Sequence, residues 1–105
     1  LKKIKNYLFV AKMINKKLNN IRKEIDKLDH RLLNLIKLRT GLVKKVIKLK
    51  KFKKQIVDYK RINKVLKNIR KNSIKKKIDP KVTNKIWTAM IRSYIDFEKR
   101  NFNKK

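Results

Sequence analysis

Apolar residues recur every three or four positions along the first half of the chain. They occupy Leu18, Ile21, Ile25, Leu28, Leu32, Leu35, Leu42, Val46 and Leu49. This spacing predicts one amphipathic helix, which no proline interrupts. A helix from Leu18 to Lys50 would be about 50 Å long, which exceeds the width of a globule of this size. Because such a helix cannot bury its whole seam within one monomer, the pattern predicts a homodimer.

The periodic pattern is interrupted after the long helix and then returns. The period is lost around Phe52–Val57, and Asp58 offers a side-chain oxygen that can cap a following helix. The run Arg61–Ile69 places several apolar residues on one face, namely Ile62, Val65, Leu66 and Ile69. These features predict a second, shorter helix.

A third helix is predicted after a basic connection, Lys71–Ile78. Asp79 suits the N-cap and Pro80 the first helical position, and the apolar pattern continues to about Arg100. With one Gly and one Pro, the chain has little material for the turns of a β protein. The sequence therefore predicts an all-α fold of three helices, which are long, short and medium in chain order.

Residues 1–15 precede the long periodic run, and we expect them to form a helical or frayed extension. Their apolar patch, Tyr7–Ala11, is interrupted by Lys12 and followed by no small-residue cleavage site, so we do not expect a secretory signal. No stretch approaches the roughly 18 apolar residues of a membrane span, and no membrane association is expected. We expect one helical domain over residues 16–105, located in the cytoplasm.

The charge of the chain is strongly unbalanced, with 35 Lys and Arg against 7 Asp and Glu and a formal net charge of +28. Such a charge attracts polyanions at low salt, so a basic helical dimer that binds nucleic acid is one interpretation. However, the basic residues are spread over the whole chain, and Lys, Asn and Ile are inflated together, as A- and T-rich codons would produce. Nucleic acid is therefore not the partner that we expect.

Side chains that commonly carry catalysis or bind metals are scarce. The chain has no Cys and a single His, so we expect neither disulfides nor a metal site. It also lacks a Gly-rich phosphate loop and a nucleophile elbow. If the protein is an enzyme, its chemistry must work mainly through cations and without a cofactor. That suits a dianionic substrate whose transition state gathers negative charge on an oxygen.

Three stretches resemble the all-helical chorismate mutases. Residues 18–39, LNNIRKEIDKLDHRLLNLIKLR, are similar to the first-helix pattern L-x-x-I/L-R-x-x-I-D-x-I/L-D-x-x-L-x-x-L-L-x-x-R, and Val46 and Lys50 follow as in the family. Ile56–Arg61 resembles the D-x-x-R at the start of helix two, and Ile78–Pro80 resembles the L-D-P that opens helix three. The resemblance covers residues 16–102. It implies an intertwined homodimer with two equivalent sites, which rearranges chorismate to prephenate for phenylalanine and tyrosine synthesis.

The resemblance also implies the roles of individual residues. Arg22, Arg39 and Arg61 would bind the two carboxylates of the substrate, and Lys50 would donate to the ether oxygen of the breaking bond. Arg39 and Lys50 return to nearly the same helix face, about 16 Å apart along the axis. Arg22 lies about 26 Å from Arg39 on a different face, which agrees with the family pattern in which this arginine comes from the partner subunit.

Some positions of the expected site depart from the family pattern. Ile62 stands where most family members have an acid that accepts a hydrogen bond from the substrate hydroxyl. Asp58 is also expected to lie near this hydroxyl. Tyr94 stands where many members have a small hydroxyl residue. Glu98 stands where many have Gln facing the ether oxygen, and its carboxyl donates only when protonated, so we expect activity to be favoured at lower pH. Two alternatives follow, namely a mutase-like domain with weak activity or one that acts on isochorismate as a lyase.

Overall fold

The computed structural model describes residues 2–103. Its elements are α1 (Lys2–Leu49), a single 3-10 turn (Lys53–Gln55), α2 (Tyr59–Lys75) and α3 (Pro80–Asn101). Within residues 2–103 there is no β-strand. The predicted all-α fold and its order of long, short and medium helices are confirmed.

The helical extension expected over residues 1–15 is confirmed for residues 2–15, because α1 begins at Lys2 and passes through residue 15 without a break. Residues 2–17 contain no Gly or Pro and several good helix formers, so nothing in their sequence ends the helix. The proposed domain boundary after residue 15 stays a prediction.

One predicted helix boundary was wrong, because α2 continues to Lys75 rather than ending at Ile69. Its end is a Schellman motif, in which the N–H of Ile78 donates to the carbonyl of Ser73 and that of Lys77 to Ile74. Lys77 has φ 59°, a left-handed conformation that disfavours a non-glycine residue by about 1 kcal/mol. The basic stretch after Ile69 was therefore helix for most of its length, because lysine is a good helix former.

The predicted N-caps of α2 and α3 are confirmed. The side chain of Asp58 accepts a hydrogen bond from the N–H of Arg61 at 3.0 Å, and that of Asp79 accepts from the N–H of Lys81 at 2.9 Å. Pro80 occupies the first turn of α3, as predicted. Each cap satisfies a helix N–H that would otherwise lack a partner.

The chain divides into two compact units, the first ending at Thr40 and the second beginning at Gly41. The first unit is the N-terminal part of α1, and none of its described residues is buried. The second contains the end of α1 together with α2 and α3, which pack against each other. Its buried residues are Ile47, Ile56, Ser73, Thr83 and Glu98. None of the helices within residues 2–103 has both the length and the apolar character of a membrane span.

A buried pair of hydroxyls joins the end of α2 to the start of α3. The oxygens of Ser73 and Thr83 lie 2.7 Å apart. Ser73 also donates to the carbonyl of Ile69 at 2.6 Å, which leaves its oxygen able to accept from Thr83. Because both hydroxyls are partnered, this polar contact fixes α2 against α3 without a desolvation penalty.

Candidate active site

Lys50 and Glu98 form an ion pair in the second unit, with Nζ and Oε2 3.0 Å apart. Lys50 directly follows α1, and Glu98 lies in the last turns of α3. A glutamate near the end of a helix is usually exposed, but the side chain of Glu98 is only 11% exposed and that of Lys50 only 19%. The fold thus brings together two of the residues that the sequence predicts to carry the chemistry.

The chain after α1 holds Lys50 in this position. Its Nζ also donates to the carbonyl of Ile56 at 3.4 Å, and its own N–H donates to the carbonyls of Val46 and Ile47. The side chain of Gln55 accepts from the N–H groups of the two residues after Lys50, at 2.8 Å each. An ammonium has three N–H donors, and the fold directs two of them at Glu98 and Ile56.

This arrangement suits the stabilisation of negative charge. A nearly buried carboxylate without a partner would be strongly destabilising, so the ammonium of Lys50 is held close to Glu98. The pair can offer a substrate oxygen an N–H from the ammonium and, when the carboxyl is protonated, an O–H from Glu98. Neither group is arranged as a nucleophile with an adjacent base, so the pair does not resemble a site for covalent catalysis.

A groove of about 440 Å³ lies between α2 and α3 in the second unit. It is lined by Val57, Tyr59, Ile62, Leu66, Thr88, Ile91, Arg92 and Ile95. Its volume is in the range that small-molecule sites occupy. Ile91 and Ile95 precede Glu98 by about two turns and one turn, so the groove and the ion pair share one face of α3.

Three other predicted site residues lie around these features. Ile62 is half-buried and lines the groove. Tyr94 is half-buried one turn before Glu98, and its ring meets that of Phe97 edge-on, with centroids 6.4 Å apart. Arg61 is exposed in the first turn of α2. The contacts of these residues with a substrate stay predictions.

Residues 21–99 match the family model described as chorismate mutase type II. The chain belongs to this family. The match spans three quarters of the 105 residues and includes every site residue predicted above. No curated protein and no solved structure gives a significant match. The resemblance on which the sequence analysis relied is therefore confirmed at the level of the chorismate mutase family.

Two site residues that the chorismate mutase pattern indicates lie on α1 in the first unit. Arg22 is exposed and Arg39 is half-buried. Their assignment to the substrate carboxylates stays a prediction, as does the origin of Arg22 in the partner subunit. Within residues 2–103, no three His, Asp or Glu side chains cluster so as to hold a metal ion.

The sequence analysis missed several residues of the second unit. The carbonyl of Ile56 orients Lys50, and a backbone acceptor leaves no signal in residue type. Arg92 is exposed and contributes to the groove together with Ile91 and Ile95. The spacing of Ile91, Ile95 and Glu98 on one helix face could have indicated that these residues belong to one site.

Proposed function

We propose that the protein is a chorismate mutase that isomerises chorismate to prephenate by a pericyclic rearrangement. The observation that carries the proposal is the ion pair of Lys50 and Glu98, 3.0 Å apart, in a chain of the chorismate mutase type II family. In the reaction the ether C–O bond breaks while a C–C bond forms, and the protein forms no covalent bond. The proposed role is phenylalanine and tyrosine synthesis in the cytoplasm.

Substrate binding falls to the arginines. Chorismate is a dianion, and Arg22, Arg39 and Arg61 present planar guanidinium groups that can bind a carboxylate through two parallel hydrogen bonds. Holding both carboxylates keeps the substrate in the compact diaxial conformer in which the reacting carbons approach each other. Orientation of this kind can supply several kcal/mol of the barrier reduction. Ile62 and the groove between α2 and α3 would contact the apolar part of the ring.

Lys50 and Glu98 act on the ether oxygen. Negative charge gathers there as the C–O bond breaks, and the ammonium of Lys50 stabilises it. Glu98 adds a second donor when its carboxyl is protonated. A preorganised donor of this kind contributes about 3–4 kcal/mol to transition-state stabilisation, because it needs no reorganisation during the reaction.

The proposed enzyme is a homodimer built on α1. Apolar side chains occupy the a and d positions of a heptad repeat along α1, with Leu18 at a and Ile21 at d, and Arg39 is the exception at an a position. In the single copy the large seam residues of the first unit are exposed, from 39% for Leu18 to 76% for Tyr7. Burial of one Leu or Ile contributes about 1.5–3 kcal/mol, so a second copy on this seam is strongly favoured.

Arg22 of one copy can reach Arg39 and Lys50 of the other only if the two copies of α1 are antiparallel, because in a parallel pair each residue lies level with its own copy. In an antiparallel pair of helices, two residues that lie at the same level along the axis have residue numbers with a constant sum. If Arg22 of one copy lies between Arg39 and Lys50 of the other, this sum is between 61 (22 + 39) and 72 (22 + 50). Antiparallel seams pack a against d, which allows sums of 60, 67 or 74 for this heptad. Only 67 satisfies both conditions. It sets Leu18 opposite Leu49 and puts the two-fold axis between Leu33 and Asn34.

The proposal is tested by the loss of chorismate absorbance with time at moderate salt, with prephenate identified by its acid conversion to phenylpyruvate. We expect saturable turnover from a dimer. A folded dimer without turnover would contradict the proposal and favour a mutase-like domain with altered activity, for which isochorismate is the next substrate to assay. Salt-sensitive DNA binding without turnover would favour the nucleic-acid interpretation.

Arg39→Ala tests the proposed substrate contact. It should lower kcat/KM by about a thousandfold, because one carboxylate loses a charged bidentate partner, while sedimentation still shows a dimer. Arg39→Lys is the matched control, and it should recover part of the activity because it keeps the charge but loses the planar geometry. Equal activity of the wild-type protein and Arg39→Ala would exclude Arg39 as a ligand.

A further inference from the structure

The heptad seam of α1 does not begin where the family match begins. Counting back from Leu18, the next a and d positions are Ile14, Ala11, Tyr7 and Ile4, in the same alternation of three and four residues. All lie in α1 and before residue 21, where the match to the family starts. Ile4, Tyr7 and Ile14 are 62%, 76% and 58% exposed in the single copy. The N-terminal extension thus has a seam in phase with the proposed dimer seam but outside the family domain.

The register of the proposed dimer determines what this seam can meet. With level residues adding up to 67, Leu18 is level with Leu49 of the other copy, so Ile14 and Tyr7 lie about 6 Å and about 16 Å beyond that residue along the axis. The other copy's α1 ends at Leu49, so the extension projects past that end by about 22 Å. The two extensions lie at opposite ends of the dimer and cannot pair with each other.

The chain that follows α1 has the apolar surface that such a seam requires. Leu49, Phe52 and Tyr59 are 81%, 56% and 75% exposed, and they flank Lys50 and the 3-10 turn that follows it. Lys54 lies over one side of the Phe52 ring, with Nζ 5.7 Å from its centroid. Phe52 and Lys54 belong to the connection between α1 and α2 that orients Lys50, and Leu49 and Tyr59 are the helix residues on either side of it.

We propose that the seam of residues 4–14 packs on Phe52 of the second copy, just past Leu49 at the end of its α1, and braces the connection that orients Lys50. This inference rests on the proposed antiparallel dimer. The extension is then a dimerisation arm that makes each active site depend on the other copy through a second contact besides Arg22. Its role is one of positioning, since no residue of the arm touches the substrate.

The charge of the two surfaces distinguishes a second copy of the chain from an anionic partner such as a lipid membrane or nucleic acid. Both surfaces are basic, because Lys12, Lys16 and Lys17 accompany the seam while Lys51, Lys53 and Lys54 lie in the connection. Salt screens the repulsion between them, so the contact should strengthen as the salt concentration rises. Binding of the same helix to a membrane of anionic lipid or to nucleic acid would weaken with salt.

A disulfide cross-link tests the contact directly, because the chain has no native Cys. The double variant Ile14→Cys with Phe52→Cys should give a covalent dimer on oxidation, seen on a non-reducing gel. Phe9→Cys with Phe52→Cys is the matched control, since Phe9 lies on the opposite face of α1, and it should remain monomeric on the gel. A covalent dimer from Ile14→Cys alone would show that two arms pair with each other and would overturn the proposal.

A second pair of variants measures the effect on the enzyme. Tyr7→Asp, on the seam, should raise the dimer dissociation constant at least tenfold and lower kcat several-fold with little change in KM. Phe9→Asp, also aromatic, exposed and two residues away, should change neither. If the wild-type protein is dimeric and active but the two variants have equal effects, the proposed role of the arm is overturned and the proposed dimer is not. A wild-type protein that is monomeric would overturn both the arm and the proposed dimer.

Discussion

The two units of the chain differ in what they bury. In the first unit no described residue is buried, and the large apolar residues of α1 are exposed in a regular row. In the second unit three of the five buried residues are polar, and all three have partners, as Lys50 pairs with Glu98 and Ser73 with Thr83. A lone helix gains most of its stability from packing of its apolar face. In the proposed dimer the first unit would gain this packing from a second copy, whereas the second unit has polar contacts of its own.

The largest effect is expected in the second unit, from removal of the Lys50 ammonium that pairs with the nearly buried carboxyl of Glu98. Lys50→Ala should lower the free energy of unfolding by about 3–5 kcal/mol, because Glu98 is left without its ion-pair partner. Turnover should fall by about a thousandfold. Chemical denaturation and chorismate kinetics measure the two effects. Lys51→Ala, at the exposed next residue, should change stability by less than about 0.5 kcal/mol.

The second largest effect is expected from a charged substitution in the apolar seam of the first unit. Leu32→Asp should abolish the dimer and reduce helicity, because it places an aspartate opposite Leu35 of the other copy in the proposed interface. Sedimentation and circular dichroism provide the measurements. Leu33→Asp is the matched control, since Leu33 is also exposed but lies outside the seam, and it should remain dimeric. If both variants dissociate equally, the seam is not the interface.

Glu98→Gln tests whether the side chain of Glu98 donates a hydrogen bond to the ether oxygen. The wild-type carboxyl can donate to the ether oxygen only when protonated, whereas the amide of Gln always carries N–H donors. The variant should therefore keep most of its activity in chorismate kinetics. A loss as large as that of Lys50→Ala would show that an uncharged donor cannot replace Glu98.

The smallest expected effect concerns the hydroxyl pair between α2 and α3. Ser73→Ala should lower the free energy of unfolding by about 0.5–1.5 kcal/mol, because the buried hydroxyl of Thr83 loses its contact with Ser73 and keeps only the longer donation, at 3.3 Å, to the carbonyl of Pro80. Ser93→Ala is the control. Its hydroxyl also donates to the carbonyl four residues earlier, but in an exposed position, so its loss should change stability by less than about 0.5 kcal/mol. Thermal unfolding separates the two variants.

Much of the fold could be predicted because its signals are local. Asp58 and Asp79 with Pro80 indicate helix starts through bonds that span only a few residues. The error at Lys75 arises because a helix end without Gly or Pro depends on backbone contacts that residue types indicate weakly. The site was predicted through the family pattern, which directs both Lys50 and Glu98 at the ether oxygen, as composition and periodicity could not.

The sequence by itself determined the helix order, the caps, the seam of α1 and membership in the chorismate mutase family. Each of these depends on residues that are near in the chain or on a linear pattern of residues. The tertiary structure alone decided that Lys50 meets Glu98, 48 residues away, that the carbonyl of Ile56 holds the same ammonium, and that Ser73 meets Thr83. These contacts depend on how α2 and α3 pack and on where the chain turns after α1. Such long-range packing is cooperative and leaves no periodic trace in the sequence.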